Sequence, residues 1–271
     1  MIASAALGFF FTAIIGPRIL GLMIEAKAVM ENYQRVSVVK LGGLIIVSGV
    51  LLSYSFLAAT DNLYYSQEHL VLLVGIVVMA LIGLIDDMLG DNRVKGLRGH
   101  MKSLIKGQLT TGGLKALGGA AVSLFLVLPL VQNFGQLIIY WLTVALAINA
   151  INLLDLRPGR ALKSYILILF TLIAYGLYVG TNINHIHLML LGSTIAFWPY
   201  DLGEKAMLGD TGANVLGLSV GYAAVVLLPF GALIGVFLIL IALHGIAERK
   251  SLTKIIEEVP LLRFFDNLGR C

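Results

Sequence analysis

Six stretches of this chain contain no Asp, Glu, Lys or Arg: residues 1–17, 41–60, 70–85, 116–154, 164–200 and 211–247. Nothing constrains the fold more. Lipid offers the backbone no hydrogen-bond partners, so a long apolar segment must satisfy its own as a helix. About 20 residues suffice for one crossing. The first three stretches supply one crossing each, and the last three, 37 to 39 residues long, supply two each. Each long stretch holds a turn near its middle: Pro129 with Gln132, Asn133 and Gly135; Gly176 to His187 with Asn182 and Asn184; and Pro229-Phe230-Gly231. The expected fold is all-α, a polytopic integral membrane helical bundle of about nine transmembrane helices, the first interrupted at Pro17 and Arg18. A charged fraction of 13% agrees, since soluble domains carry roughly 25%.

Charge placement orients the bundle. With 18–40, 86–115, 155–163, 199–210 and 248–271 on one side, all nineteen Lys and Arg fall there or at the adjoining helix ends. Positive residues favour the cytoplasmic side, which puts the N-terminus outside and the C-terminus inside. Thirteen of the fifteen Asp and Glu, all but Asp61 and Glu68, fall on that side too. Orientation does not require this, because acids contribute little to it. Carboxylates crowded among cations at one face indicate a site there. The pI near 9.1 suits anionic lipid or a phosphate substrate, and no motif suits nucleic acid. The one cysteine, Cys271, excludes an internal disulfide. The first segment reads as a retained anchor. Residues 1–248 form a transmembrane domain, while 249–271, with Ile255, Ile256, Val259, Leu262 and Phe265 at helical spacing and a break at Pro260, read as an amphipathic segment on the cytoplasmic surface.

Four polar clusters meet on that face. Asp86 and Asp87 end an apolar helix, where acids oppose the macrodipole and need a cation or partner. Adjacent helical residues diverge by about 100°, so the two carboxylates serve different roles. Solvated acids at a helix end are the bland alternative, but ionisable groups at membrane depth are usually functional. Asn149, Asn152 and Asp155 recur every third residue and form a polar stripe; a lone amide there would read as helix–helix glue. In "KAMLGDTGANVLG", Gly209 and Gly212 flank Asp210-Thr211 before an apolar run. Glycine permits a tight turn, and the free N–H groups of a starting helix favour phosphate. An oxygen ligand there suits Mg²⁺ held against a diphosphate, although an ordinary N-cap has the same composition. The basic run "KGLRGHMKSLIKGQ", with Arg98, His100, Lys102 and Lys106, follows the paired aspartates.

Taken in order, these clusters resemble the polyprenyl-phosphate N-acetylhexosamine-1-phosphate transferases. That family includes phospho-MurNAc-pentapeptide translocase and the GlcNAc-1-phosphate transferases that start envelope polymers such as peptidoglycan and teichoic acid. "KLGGLIIVSG" resembles the early Gly-Gly motif, "GLIDDMLGD" the paired aspartates, "GLRGHMK" the basic loop, "NAINLLD" the Asn-Asn-Asp motif and "KAMLGDTGAN" the Gly-Asp-x-Gly motif. The resemblance implies Mg²⁺-dependent transfer of a sugar-1-phosphate from a UDP-sugar to polyprenyl (undecaprenyl) phosphate, with release of UMP, at the cytoplasmic face of a bacterial membrane. It implies Mg²⁺ ligation at Asp210 aided by Asp87, and leaves Asp86, Asp87 and Asp155 as candidates for activating the lipid phosphate. Lys102, Asn149, Asn152, Lys205, Gly209 and His244 are the implied substrate-binding residues, and a homodimer is allowed.

The chain departs from the family in three ways. The run after Asp155 is "DLRPGRAL", with Leu156 in place of a glycine and Pro158 in place of a second aspartate, a change that bears on the donor. "LHGIAERKS" offers only His244 with Glu248 and Arg249 where the translocase has a histidine cluster, which argues against a MurNAc-pentapeptide donor. No tenth crossing follows. The rival readings are a transporter or flippase, whose polar residues would lie at mid-depth, an intramembrane prenyltransferase, and a paralogue that binds lipid phosphate without turnover.

Overall fold

The computed structural model describes residues 1–31, 36–60, 66–90 and 110–269. Among them are nine helices of 17 to 24 residues. In chain order these are α1 (Ile2–Glu25), α2 (Gly43–Thr60), α3 (Gln67–Leu89), α4 (Thr111–Val127), α5 (Phe134–Leu154), α6 (Arg160–Tyr178), α7 (His185–Leu202), α8 (Gly209–Leu227) and α9 (Phe230–Ala247). Two short helices follow, α10 (Leu252–Glu258) and α11 (Pro260–Asn267), divided at Pro260 as the sequence predicts. All three mid-stretch turns fall between helices. Eight of the described helices are long and apolar enough to cross a membrane. The other long one, α7, carries His185, His187 and Asp201, but it packs against α1 and α2 and is covered largely by protein. The chain is a polytopic helical membrane protein.

The first helix departs from expectation. Pro17 does not end it: α1 runs on to Glu25, so residues 18–25 belong to the helix and not to a connection. Proline removes one backbone donor, and the Arg18 guanidinium donates to the nearby Ile14 carbonyl at 2.6 Å. One missing donor does not end a helix of 24 residues.

The bundle is built around α8. Of its 19 residues only Asp210 and Val226 are not buried. Small residues let neighbouring backbones reach it, the usual device for helix association where lipid removes any hydrophobic drive. A Cβ on Gly217 would lie 2.5 Å from the Ile148 Cα, and one on Gly221 2.8 Å from the Val144 Cα. On α3, a Cβ on Gly83 would lie 2.5 Å from the Asp210 carbonyl oxygen and 2.6 Å from the Thr211 Cα. Gly83→Ala must push α3 off the start of α8, an overpacking cost of about 1–3 kcal/mol. The expected outcome is a lower unfolding temperature in detergent, with Gly235→Ala, where an added Cβ meets nothing, as the neutral control.

A short antiparallel hairpin, β1 (Val29–Glu31) and β2 (Ser37–Val39), joins α1 to α2. Its outgoing strand continues beside residues 205–208. Val39 N–H donates to the Lys205 carbonyl (3.3 Å), Met207 N–H to Val39 (2.8 Å), Gly42 N–H to Met207 (3.0 Å) and Gly43 N–H to Leu208 (2.9 Å). The Gly-Gly pair is required here. Gly43 lies against the backbone of Gly212, and a Cβ on Gly42 would meet the Met207 carbonyl and the Phe197 ring. This strap sets Lys40 beside the first turn of α8.

Candidate active site

Gly209 begins α8 in the left-handed region, at φ +70°, where L side chains are strained. From there three successive N–H groups have no acceptor within their own helix, as at any helix start. The sequence leads one to expect these groups to be free for a phosphate; carboxylates of the chain itself take them. Gly209 N–H donates to Asp155 Oδ2 at 3.1 Å, Asp210 N–H to Asp87 Oδ1 at 3.0 Å and Thr211 N–H to Asp87 Oδ2 at 2.9 Å. The Thr211 hydroxyl adds a further bond to Asp87 Oδ2 at 2.7 Å. Asp87, 6% exposed, therefore sits on the positive end of α8, which compensates for its unfavourable place at the negative end of α3. The Lys40 ammonium donates to the Asp87 main-chain carbonyl, satisfying that helix end as well.

Asp86 points elsewhere, as the 100° step demands. Its carboxyl is within hydrogen-bonding reach of Asp210 and of Thr111 at the start of α4. Lys115, one turn further along α4, places its ammonium 2.6 Å from Asp210 Oδ1 and 3.9 Å from Asp86 Oδ2. Three acids and two lysines from four separate segments thus surround one helix terminus. Asp155, which ends α5, completes the group. Burial, followed by the carboxylates of Asp201, Asp210 and Asp87, pushes the Asp155 carboxyl well above the ordinary carboxylate range, against the pull of the Gly209 N–H. Beside it lies a cleft of about 40 Å³ lined by Leu156, Arg157, Pro158, Asp201 and Glu204.

The structure brings Asp86, Asp87, Asp155, Gly209 and Asp210 together. Among the described residues, no side-chain hydrogen bond or ion pair joins Asn149, Asn152, Lys205 or His244 to them. Asn149 is exposed on α5 and Asn152 half-buried, because a three-residue step drifts around a helix of 3.6 residues per turn. Lys205 is exposed, and its carbonyl, not its ammonium, is what the strap uses. His244 lies near the end of α9, where Nδ1 bonds the Leu240 carbonyl of its own helix at 2.7 Å. Lys102, with Arg98, His100 and Lys106, lies outside the described residues. Sequence reasoning missed Lys115, Lys40 and Thr211 as members of the site. A single lysine at a helix start looks like any positive-inside charge, and its partner Asp210 lies 95 positions away. It missed Asp201 as well, whose Oδ2 accepts the Gly159 N–H at 2.6 Å and so fixes the "DLRPG" turn.

Among the described residues no three Asp, Glu, His or Cys side chains are spaced to enclose a metal on their own. Magnesium does not need three. It is commonly held by one or two carboxylates together with phosphate oxygens, and Asp86 and Asp210, which already share one cation, form such a pair. A larger cavity of about 450 Å³ lies at the opposite end of the bundle, lined by Glu68, His69, His185, His187 and Tyr222 among others.

Residues 69–228 match the family described as glycosyl transferase family 4, a span that runs from α3 to the end of α8 and contains all four aspartates. The chain is also similar to the phospho-N-acetylmuramoyl-pentapeptide-transferase of Borreliella afzelii, at 25% identity over 96% of this chain and 85% of that protein. The enzyme of the same name from Clostridium kluyveri is 25% identical over 84% of this chain and 76% of its own length. The decaprenyl-phosphate N-acetylglucosaminephosphotransferase of Mycobacterium leprae is 27% identical over 82% of this chain and 59% of its own.

Proposed function

This chain belongs to glycosyl transferase family 4, and on that premise we propose that it transfers a sugar-1-phosphate from a UDP-N-acetylhexosamine to polyprenyl phosphate, releasing UMP, at the cytoplasmic face of a bacterial membrane. The relatives, named as phospho-sugar transferases, one of them acting on a decaprenyl phosphate, support this class of reaction. The observation that carries the reading is the convergence of Asp86, Asp87, Asp155 and Asp210 on the first turn of α8. It lies at one end of the bundle, where a lipid phosphate and a water-borne nucleotide can meet. A transporter would need its polar residues at mid-depth.

The reaction joins two anions. An oxygen of the lipid phosphate attacks the sugar-bearing phosphorus of the donor, and the bond from that phosphorus to the UMP oxygen breaks, so UMP leaves with the electron pair. Repulsion between the phosphates is the main obstacle, and fixed positive charge removes it. We assign Asp86 and Asp210 to Mg²⁺, in place of Asp87 and Asp210, because Asp87 already accepts three bonds from α8 and acts as its anchor. When bound there, the ion supplies charge neutralisation at the transferred phosphate. Asp155, held protonated to a higher pH than a free aspartate, is matched to exchange a proton with the lipid phosphate. The cleft beside it is far smaller than the roughly 300 Å³ of a small-molecule pocket, so the nucleotide is held at the open rim. Leu156 and Pro158 line that cleft and bear on which sugar is accepted.

Purified protein with undecaprenyl phosphate, Mg²⁺ and a panel of UDP-sugars, including UDP-MurNAc-pentapeptide, tests the reading. The expected outcome is UMP release with one UDP-N-acetylhexosamine, a lipid product heavier by that sugar-1-phosphate, and loss of both on chelation. Folded protein that releases UMP from no member of the panel would overturn it.

A further inference from the structure

We propose that the Lys115 ammonium and the divalent cation share one seat, between Asp86 and Asp210, so that Lys115 is a built-in counterion which must swing out before the metal can bind. The inference rests on the proposed function for the identity of the cation, but its geometry stands on the chain itself. Lys115 Nζ lies 2.6 Å from Asp210 Oδ1 and 3.9 Å from Asp86 Oδ2, with only 12% of its side chain exposed. The two carboxyls are within hydrogen-bonding reach of each other. Such a pair needs a cation or a shared proton between its oxygens, and the ammonium provides one positive charge at that point. The remaining aspartates are bound differently. Asp87 and Asp155 accept N–H groups of α8, whereas Asp86 and Asp210 turn away from that terminus toward Lys115.

Two cations cannot occupy one such gap, so in the metal-free state Lys115 already offsets one of the two negative charges. Lysine suits the role because it is a compact point charge on a flexible four-carbon stem and can leave without moving the backbone. Apparent metal affinity is then the intrinsic affinity reduced by the stability of the lysine-bound state, by the arithmetic of any competent state that is only fractionally populated.

Mn²⁺ binding to the purified protein, followed by electron paramagnetic resonance, tests this without any turnover. Lys115→Met keeps the length and removes the charge, and it should bind Mn²⁺ about tenfold more tightly or better, the scale set by a screened unit charge about 4 Å away. Lys115→Arg retains the charge and should bind no more tightly than wild type. Should the methionine variant not fold, wild-type protein serves. Saturating Mg²⁺ should raise acylation of Lys115 several-fold by an amine-reactive reagent, read by mass spectrometry, and leave the exposed Lys250 unchanged. Equal or weaker Mn²⁺ binding by Lys115→Met, or Lys115 labelling indifferent to Mg²⁺, would overturn the shared seat. Transfer by wild type alongside either result would leave the enzymatic reading standing. Tighter Mn²⁺ binding without transfer by any variant would do the reverse.

Discussion

Asp87→Asn is expected to lower transfer by about a thousandfold or more while the protein still inserts and purifies. The carboxylate accepts the N–H groups of Asp210 and Thr211 and the Thr211 hydroxyl, all at 3.0 Å or less. An asparagine amide presents one acceptor oxygen and one NH₂ to three donors, so at least one contact becomes donor against donor. Leaving a buried donor unsatisfied costs about 1–3 kcal/mol, and more where charge is involved. The loss lands on the turn that aims Asp210, and misplacement of reacting groups by about 1 Å can cost a hundredfold by itself. Removing the negative charge also leaves the positive end of α8 uncompensated. UMP release measures the effect. Asp87→Asn turning over at more than a tenth of the wild-type rate would show that the anchor does not aim the site.

The second large effect lies at the C-terminal helices. Arg160 and Asp266 are 4% and 5% exposed and pair in a fork: Nε to Oδ1 at 2.7 Å and Nη2 to Oδ2 at 2.9 Å. The third arm of the guanidinium reaches the Thr253 hydroxyl of α10 at 3.1 Å. One turn along α6, the Lys163 ammonium donates to the carbonyls of Phe265 (2.9 Å) and Leu268 (3.0 Å), closing the end of α11. Arg160→Met leaves the Asp266 carboxylate buried without its partner, which costs about 3–5 kcal/mol. The expected result is release of α10 and α11, seen as protease cleavage after residue 248 and a lower unfolding temperature. The double variant Arg160→Met with Asp266→Leu should recover most of that loss, because apolar replacement of a whole buried pair is often neutral. A single variant as protease-resistant as wild type would show the latch to be dispensable.

Most of the fold was legible because a bilayer leaves a chain few choices. Uncharged runs must be helices, and Pro129, Asn182 and Pro229 mark where they turn back. Pro17 misled, because one missing backbone donor need not stop a long apolar helix. The site was legible as a set of acids but not as an arrangement. Periodicity says that Asp86 and Asp87 diverge; it does not say which one meets α8, since that depends on how α3 packs through Gly83. The Gly42-Gly43 pair reads as a motif, yet its reason, the backbone of Gly212, lies across the bundle. Lys115 carried no signal at all, because a salt bridge between α4 and α8 leaves no mark on neighbouring residues of either.

The donors of α8 have a consequence for how the protein is made. Asp87 and Asp155 are inserted with α3 and α5, but the N–H groups that stabilise them arrive only when residues 209–211 have been synthesised. Until then the nascent chain carries two acids at the membrane boundary with nothing to complement them, and no partial product can assemble a working centre. Arrival of a single helix turn supplies the partners of both acids, so assembly of the centre waits on the eighth of the nine long helices.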